Sequence, residues 1–305
     1  AGPTGSVARP SRGLVPDNPR MRIAILGLGL IGGSVARALR EAPAYAGVEL
    51  AAWTPSGGGP RSALAAGVVD VAAVDPLDAV RGASIVILAA PPLACASLVR
   101  RLGAQPGTAL APGATVTDVA SPKAALTAAA AGAGIPIVGG HPMAGRETSG
   151  VEASDAGLFR GRPWVITEAV GAGDPSVVRS LALACGALPV ELDAAAHDRL
   201  VASISHLPLL ASVALVEAVA GTTADPVADW PAAAALAASG WRDVSRLARG
   251  DATMGAEIAA SNAEAIAVVM RRLRDRIDEW LDLVDAPDGP DADVMRERLA
   301  AAKAR

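Results

Sequence analysis

The chain predicts an α/β domain built on a doubly wound parallel sheet, followed by an all-α helical domain. Three observations carry this. Short apolar runs bounded by glycine or proline alternate with helix-length segments as far as Leu192. The first run, Arg22-Ile23-Ala24-Ile25-Leu26, passes directly into Gly27-Leu28-Gly29-Leu30-Ile31-Gly32. Beyond Leu192 the strand signals stop and apolar residues recur every three or four positions. Strands alternating with helices at this spacing imply a parallel sheet, and a 3.6-residue period implies helix.

Each element follows from its local pattern. Arg22–Leu26 is a buried parallel strand. Ile31–Arg40 reads as helix, Val48–Trp53 as the second strand and Ser62–Ala66 as a small helix. Ser84–Ala89 is a further strand, closed by Pro91-Pro92. Thr115–Val119 follows, then a helix over Pro122–Ala131. Ile135–Val138 leads into a glycine-rich loop, Gly139-Gly140-His141-Pro142-Met143-Ala144-Gly145. Trp164–Thr167 and Leu188–Leu192 are late strands, with a helix over Pro175–Cys185 between them. In the helical part, Val201, Ile204, Leu207, Leu210, Ala211, Ala214 and Leu215 follow helical spacing, and Pro208 predicts a kink. Met254, Ile258, Asn262, Ile266, Val269, Leu273, Ile277, Trp280 and Val284 describe one long amphipathic helix. The Pro287–Asp291 turn separates it from a short terminal helix. The organisation expected is therefore a disordered arm at 1–20, a dinucleotide-binding domain at 21–192 and a helical domain at 193–305.

Composition narrows the partners. The 305 residues carry 27 basic and 31 acidic side chains, net charge −4, with no basic block and only 2% aromatics, which argues against nucleic acid. Cys95 and Cys185 sit in apolar runs and read as reduced thiols of a cytoplasmic protein. Val201–Gly221 is apolar enough to resemble a membrane span, but it holds Ser205, His206, Pro208 and Glu217 and has no companion. It reads as a helix buried on all sides inside a homodimer, with no membrane involved.

Gly27, Gly29 and Gly32 occupy the first, third and sixth positions of a dinucleotide fingerprint. They allow the tight turn, close backbone approach to a pyrophosphate and close helix–strand packing respectively. The strand before and the helix after supply the context such a motif needs. The whole segment, including Leu28, Leu30 and Ile31, is expected to line the cofactor, with Ala90 and Pro91 at the end of a neighbouring strand. The acid that usually ends the second strand of an NAD site is replaced here by Thr54, with Ser56 and Arg61 nearby. Hydroxyls and an arginine suit a 2′-phosphate, so NADP is accommodated as well as NAD; equally, Arg61 could simply begin a solvated helix face.

His141 is one of three histidines. A Gly-Gly-His-Pro loop after a strand suits a catalytic acid or base better than a core histidine. Ser121, in Asp118-Val119-Ala120-Ser121-Pro122-Lys123, lies where a strand ends beside the cofactor crevice. It also has the form of an ordinary N-cap with proline at N1. Arg242, Arg246 and Arg249 fall on one helical face by i, i+4, i+7 spacing, as an anionic substrate would need, although such stripes are usually solvated. Ser205 and His206 read equally as substrate ligands or as a satisfied buried pair. No metal is expected.

Taken in order, Gly27–Gly32, Asp118–Lys123, Gly140–Gly145 with Ser149-Gly150-Val151-Glu152, His197-Asp198, Ser205-His206-Leu207-Pro208 and the Arg246 helix resemble the prephenate/arogenate dehydrogenase family of tyrosine biosynthesis. The resemblance implies a Rossmann-type domain followed by a helical dimerisation domain. It implies oxidative decarboxylation of prephenate or arogenate with hydride transfer to NAD or NADP. It further implies that His141 hydrogen-bonds the substrate hydroxyl, that Ser121 orients that hydroxyl or His141, and that Arg246 holds a carboxylate. Some prephenate-specific relatives carry a second histidine where this chain has Leu209. No regulatory domain is expected after the helices, which end at Arg305, so tyrosine inhibition, if present, is expected to act at the active site. Two rivals compete with it. A Rossmann-plus-helical hydroxyacid dehydrogenase would place a lysine on a helix of the second domain, yet Lys303 is the only lysine after Lys123. A non-catalytic NAD(P)-binding regulator would not need His141, Ser121 and Arg246 together.

Overall fold

The computed structural model describes residues 21–105, 110–146 and 148–305; the arm expected at 1–20 lies outside them. The first half runs β1 (Arg22–Leu26), α1 (Leu30–Glu41), β2 (Glu49–Trp53), α2 (Gly58–Ala65), β3 (Val71–Ala72), α3 (Pro76–Val80), β4 (Ile85–Leu88), α4 (Pro92–Gly103), β5 (Thr115–Asp118), α5 (Ala124–Ala133), β6 (Ile137–Pro142), β7 (Pro163–Val170), α6 (Pro175–Ala184) and β8 (Leu188–Glu191). One sheet holds all eight strands in the order β3-β2-β1-β4-β5-β6-β7-β8. Successive side chains of a strand face opposite ways. Ile23, Ile25, Ile85 and Ile87 therefore join the core on one face, and Ala24, Leu26, Val86 and Leu88 the core on the other. Both faces are covered, which is why these strands read as unbroken apolar runs.

The sheet is parallel only as far as β6. β7 pairs with β6 antiparallel and β8 runs parallel to β7. A parallel return needs a crossover, usually a helix. The described residues between β6 and β7 form none, so the chain comes back antiparallel, and the uniformly parallel expectation is corrected there. Three further elements, β3, α3 and α4, have no counterpart among the sequence-based expectations. β3 is only two residues long, and α4 begins at the Pro91-Pro92 pair that reads as a strand closure, with proline at its first position.

The second half comprises α7 (Ala194–Val201), a π-turn at Ala202–His206, α8 (Leu207–Ala220), α9 (Trp230–Leu236), α10 (Ser239–Val244), a 3₁₀ turn at Arg246–Arg249, α11 (Ala252–Ser261), α12 (Ala263–Val284) and α13 (Ala292–Lys303). Ala194–Ala220 is one continuous helical run of 27 residues, long and apolar enough to cross a membrane by length and composition. Its Asp198 and His206 hydrogen-bond the nucleotide half instead. Within the protomer this run is open, with Ile204 68% exposed, so the all-round burial expected for it is not met inside one chain.

Two helical expectations change. The single helix over 254–284 is two helices, broken at Asn262, whose backbone (φ −128°, ψ 30°) leaves the helical region. The arginine stripe dissolves as well. α10 ends at Val244, and Arg246 to Arg249 wind as a 3₁₀ turn, so Arg242, Arg246 and Arg249 do not share one α-helical face.

Candidate active site

Ligands of an open α/β sheet bind beyond the carboxyl ends of its strands, at the point where strand order reverses. Here that point lies between β1 and β4. Gly27 turns the chain there with φ +108°, and a Cβ on it would lie 2.4 Å from the Ala89 carbonyl. A Cβ on Gly32 would lie 2.1 Å from the Gly27 oxygen, so α1 packs on the turn only without a side chain. Gly29 differs: a Cβ there would meet nothing within 4 Å. That open space sits at the N-terminus of α1, where N–H groups face outward and favour an anion. Ala90 and Pro91 follow β4 directly across from this turn.

At the end of β2 the Thr54 hydroxyl is buried without a partner. Arg61 folds back over the turn, its guanidinium approaching the Ser56 carbonyl at 3.4 Å. A Cβ on Gly57 would meet it at 2.5 Å. Thr54, Ser56 and Arg61 thus gather at one turn without a carboxylate. A dinucleotide fits these residues: an open glycine cradle for its phosphates, and an orphan hydroxyl with a cation where its ribose would lie.

His141 is not in a loop. It is the fifth residue of β6 and pairs with Val165 of β7. The glycines before it also serve a different purpose from the ligand approach expected of them. A Cβ on Gly140 would lie 2.5 Å from the Asp118 carbonyl, and one on Gly139 would lie 2.6 Å from the Thr167 hydroxyl and 3.1 Å from Lys123 Cδ. Gly139 makes room for a buried lysine, and Gly140 for the backbone at the end of β5. Lys123 is fully enclosed; its ammonium donates to the Asp118 carboxylate and, at 2.7 Å, to the Gly140 carbonyl. Asp118 in turn accepts from Gly140 N at 3.1 Å and Ala120 N at 3.0 Å. This buried pair clamps the end of β5 to the end of β6, directly beneath His141. Burial pushes the Asp118 carboxyl up, while the adjoining ammonium pulls it down.

Ser121 is not the N-cap of α5. The helix begins at Ala124, and its first amides are capped by Asp198 of α7, whose carboxylate accepts from Lys123 N at 2.8 Å and Ala124 N at 2.9 Å. A residue of the helical half thus performs the capping that the local sequence assigned to Ser121. The Ser121 hydroxyl is left for His206, whose Nε2 lies 2.8 Å away. His206 does not pair with Ser205, which is exposed. The π-turn before Pro208 brings His206 inside while Ser203, Ile204 and Ser205 stay outside.

All three histidines belong to this cluster. His141 Nδ1 lies 2.9 Å from His197 Nε2, and His197 Nδ1 lies 2.8 Å from Asp198 Oδ1. The ionised carboxylate only accepts, so His197 carries its proton on Nδ1. In the tautomer with its single proton on Nδ1, His197 Nε2 accepts from His141 Nδ1–H, and His141 presents a bare Nε2. Burial, then the Lys123 charge and the other two imidazoles, hold the His141 pKa well below the usual histidine range. Burial pushes His206 down to about 4 against the pull of Asp198. Burial alone would raise Asp198, but hydrogen bonds from His197 and from the Ala124 and Lys123 amides outweigh it, and it stays low. The cluster therefore holds His141 and His206 neutral beside an ionised Asp198 carboxylate.

Sequence pattern alone gives His197, Asp198, Lys123 and Asn262 no role in the site. The adjacent His197-Asp198 pair and the Asp118–Lys123 segment are visible signals, since both carry the family resemblance; Asn262 carries none. Arg246 lies on the 3₁₀ turn that packs against α8, anchored where Ala248 N donates to Ser212 Oγ at 3.1 Å. Arg246 and Arg242 are both exposed, and Arg242 lies on α10. Leu209 faces α11, near Gly255.

A nucleotide cradle at the switch point, beside a neutral histidine braced by a carboxylate, defines a dinucleotide-dependent dehydrogenase. Residues 35–187 match the family model described as prephenate dehydrogenase, nucleotide-binding domain, and residues 193–299 match prephenate dehydrogenase, dimerization domain. The chain belongs to the prephenate dehydrogenase family. It is 30% identical to the prephenate dehydrogenase of Lactococcus lactis subsp. cremoris over 267 residues, covering 85% of this chain and 70% of that protein. Its structure is similar to that of Synechocystis arogenate dehydrogenase, with TM-score 0.72 and 31% identity over 93% of this chain and 99% of the other. The Aquifex aeolicus prephenate dehydrogenase, solved with hydroxyphenyl propionate and NAD+, shares the fold at TM-score 0.78 and 24% identity, over 93% and 96% of the two chains.

Proposed function

We propose that this protein oxidatively decarboxylates a 4-hydroxycyclohexadiene carboxylate, prephenate or arogenate, using NAD or NADP. The observation that carries the reading is the line from His141 Nδ1 through His197 to Asp198, which directs the acceptor Nε2 of His141 towards the substrate in this reading. A nicotinamide dinucleotide, held by the Gly27–Gly32 turn, would supply the hydride acceptor for C4. His141 Nε2 accepts the proton of the C4 hydroxyl as that carbon is oxidised. The bond from C1 to its carboxylate breaks, carbon dioxide leaves, and the bonding electrons complete the aromatic ring. His141 then returns its proton to the phenolate oxygen. Ser121 steadies the same oxygen from the adjoining strand end.

Arg246 holds a substrate carboxylate in this reading, as the family resemblance implies. Gly27–Gly32 would hold the dinucleotide, with Ala90, Pro91 and Ser121 beside it. Thr54, Ser56 and Arg61 would receive its ribose end, a set suited to a 2′-phosphate as well as to a hydroxyl. The exposed apolar side chains of α7, the π-turn and α12, among them Leu200, Ile204, Ile277 and Leu281, close against a second copy in a homodimer. Initial rates at 340 nm, with prephenate or arogenate offered against NAD+ or NADP+, test the reading. Reduction in at least one combination supports it. No reduction in any of the four overturns it.

A further inference from the structure

Asn262 sits at the break between α11 and α12, 7% exposed, and both hydrogens of its amide nitrogen are used. One goes to the Asp198 carbonyl at 2.8 Å and the other to His206 Nδ1 at 3.1 Å. The carbonyl can only accept, so the atom facing both partners is the nitrogen, and the amide orientation is settled. His206 Nδ1 must then be an acceptor. In a neutral imidazole the proton lies on Nε2, the atom 2.8 Å from the Ser121 hydroxyl. Nε2–H donates, Ser121 Oγ accepts, and the Ser121 proton has to point elsewhere.

We propose that Asn262 is a positioning residue that locks His206 in its Nε2–H form and thereby makes Ser121 a hydrogen-bond donor to the substrate. The inference rests on the reading that Ser121 meets the C4 oxygen. It matters because that oxygen changes character during the reaction. The alcohol can donate or accept; once hydride and proton have left, the oxygen is an acceptor only. His141 takes the proton on one side, and a donor on the other side stabilises the charge that develops. The opposite His206 tautomer would draw the Ser121 proton towards the imidazole and leave lone pair facing lone pair at the substrate oxygen. The helix break serves this geometry, since an unbroken helix through residue 262 would change the direction of the amide.

The test reads tautomers directly. The chain has three histidines, so long-range 15N–1H imidazole spectra of the full protein are readily assigned. In the wild type, His206 is expected to show protonated Nε2 and bare Nδ1. Asn262→Leu keeps the branched shape and removes the donor. His206 should then lose its single tautomer, and kcat should fall about 10- to 100-fold with a smaller change in KM. Dinucleotide affinity should be unchanged. Asn262→Asp is the second variant should the leucine protein fail to fold. Its carboxylate accepts only, so a proton should appear on His206 Nδ1. The proposal is overturned if His206 keeps bare Nδ1 in either variant, or if the tautomer is lost while kcat is unaffected. The spectra need no substrate, so they test Asn262 independently of the assay that tests the reaction itself.

Discussion

The glycine crevice and the histidine cluster lie side by side at the same edge of the sheet, yet they are built in opposite ways. The crevice is local. One strand, one turn and one helix in direct succession carry its glycines, and the phosphate cradle's fit depends on side chains that are missing. The cluster is assembled from four distant segments, at 118–123, 140–141, 197–206 and 262, and every member is fixed by a partner from another segment. Binding can therefore be specified by backbone alone, whereas the direction of a proton has to be specified by side chains that constrain one another. Changes in the crevice should be read in dinucleotide affinity, and changes in the cluster in turnover and in the coupling of the two halves.

The sharpest way to break that division is His141→Asn. Turnover should fall by about 10²- to 10⁴-fold, the range a positioned base supplies. Dinucleotide affinity, measured by calorimetry, should hold. Loss of affinity with preserved turnover would erase the distinction between the two regions. Next in size is Lys123→Met. Removing one partner of a buried ion pair leaves the other uncompensated, at about 3–5 kcal/mol. Urea unfolding should show that loss, and Lys123→Met with Asp118→Asn should recover part of it. Smaller again is a pair within the crevice. Gly32→Ala forces a methyl onto the Gly27 carbonyl and should cost about 1–3 kcal/mol of stability. Gly29→Ala enters open space and should leave the melting temperature alone while weakening the dinucleotide. If Gly29→Ala is the less stable of the two proteins, the cradle has been wrongly placed.

The same contrast governs what was legible in the sequence. The crevice was readable because Gly27, Gly29 and Gly32 act within one short motif, and the apolar strands were readable because both sheet faces are covered. His141 and Ser121 were visible as candidates, but their surroundings were not. Ser121-Pro122 has every local mark of a helix cap, and the cap comes from Asp198, 75 residues away from Lys123. Gly139-Gly140 looks like a ligand loop because nothing nearby in the sequence says that Lys123 lies underneath. The continuous apolar period through Met254–Val284 conceals the break at Asn262, since periodicity reports which face is buried and not whether the backbone pauses. The stripe of Arg242, Arg246 and Arg249 fails for the converse reason: spacing assumes an α-helix, and the chain tightens to a 3₁₀ turn at Arg246. Local chemistry was legible, then, and long-range capping and helix irregularities were not.

The last prediction separates the two regions by acidity. His206 titrates near 6.5 in the unfolded chain and at about 4 when folded. Between those values the unfolded chain binds the proton and the folded one does not, so stability rises with pH across the window and levels off above it. His141, also held low by burial, acts with the same sign. Asp118, raised by burial, acts with the opposite sign, so the whole-protein curve mixes the two. His206→Gln isolates the effect of His206, since it keeps an amide near the Ser121 hydroxyl and removes the titration. The stability of the wild type minus that of His206→Gln, from urea midpoints, should climb from pH 4 to 6.5 and stay flat beyond. The same difference taken with Gly29→Ala should be flat throughout, because none of the three histidines lies in the crevice. A flat His206 difference would mean that the imidazole is as easily protonated in the fold as in water, and that its burial beside Asn262 does not keep it neutral.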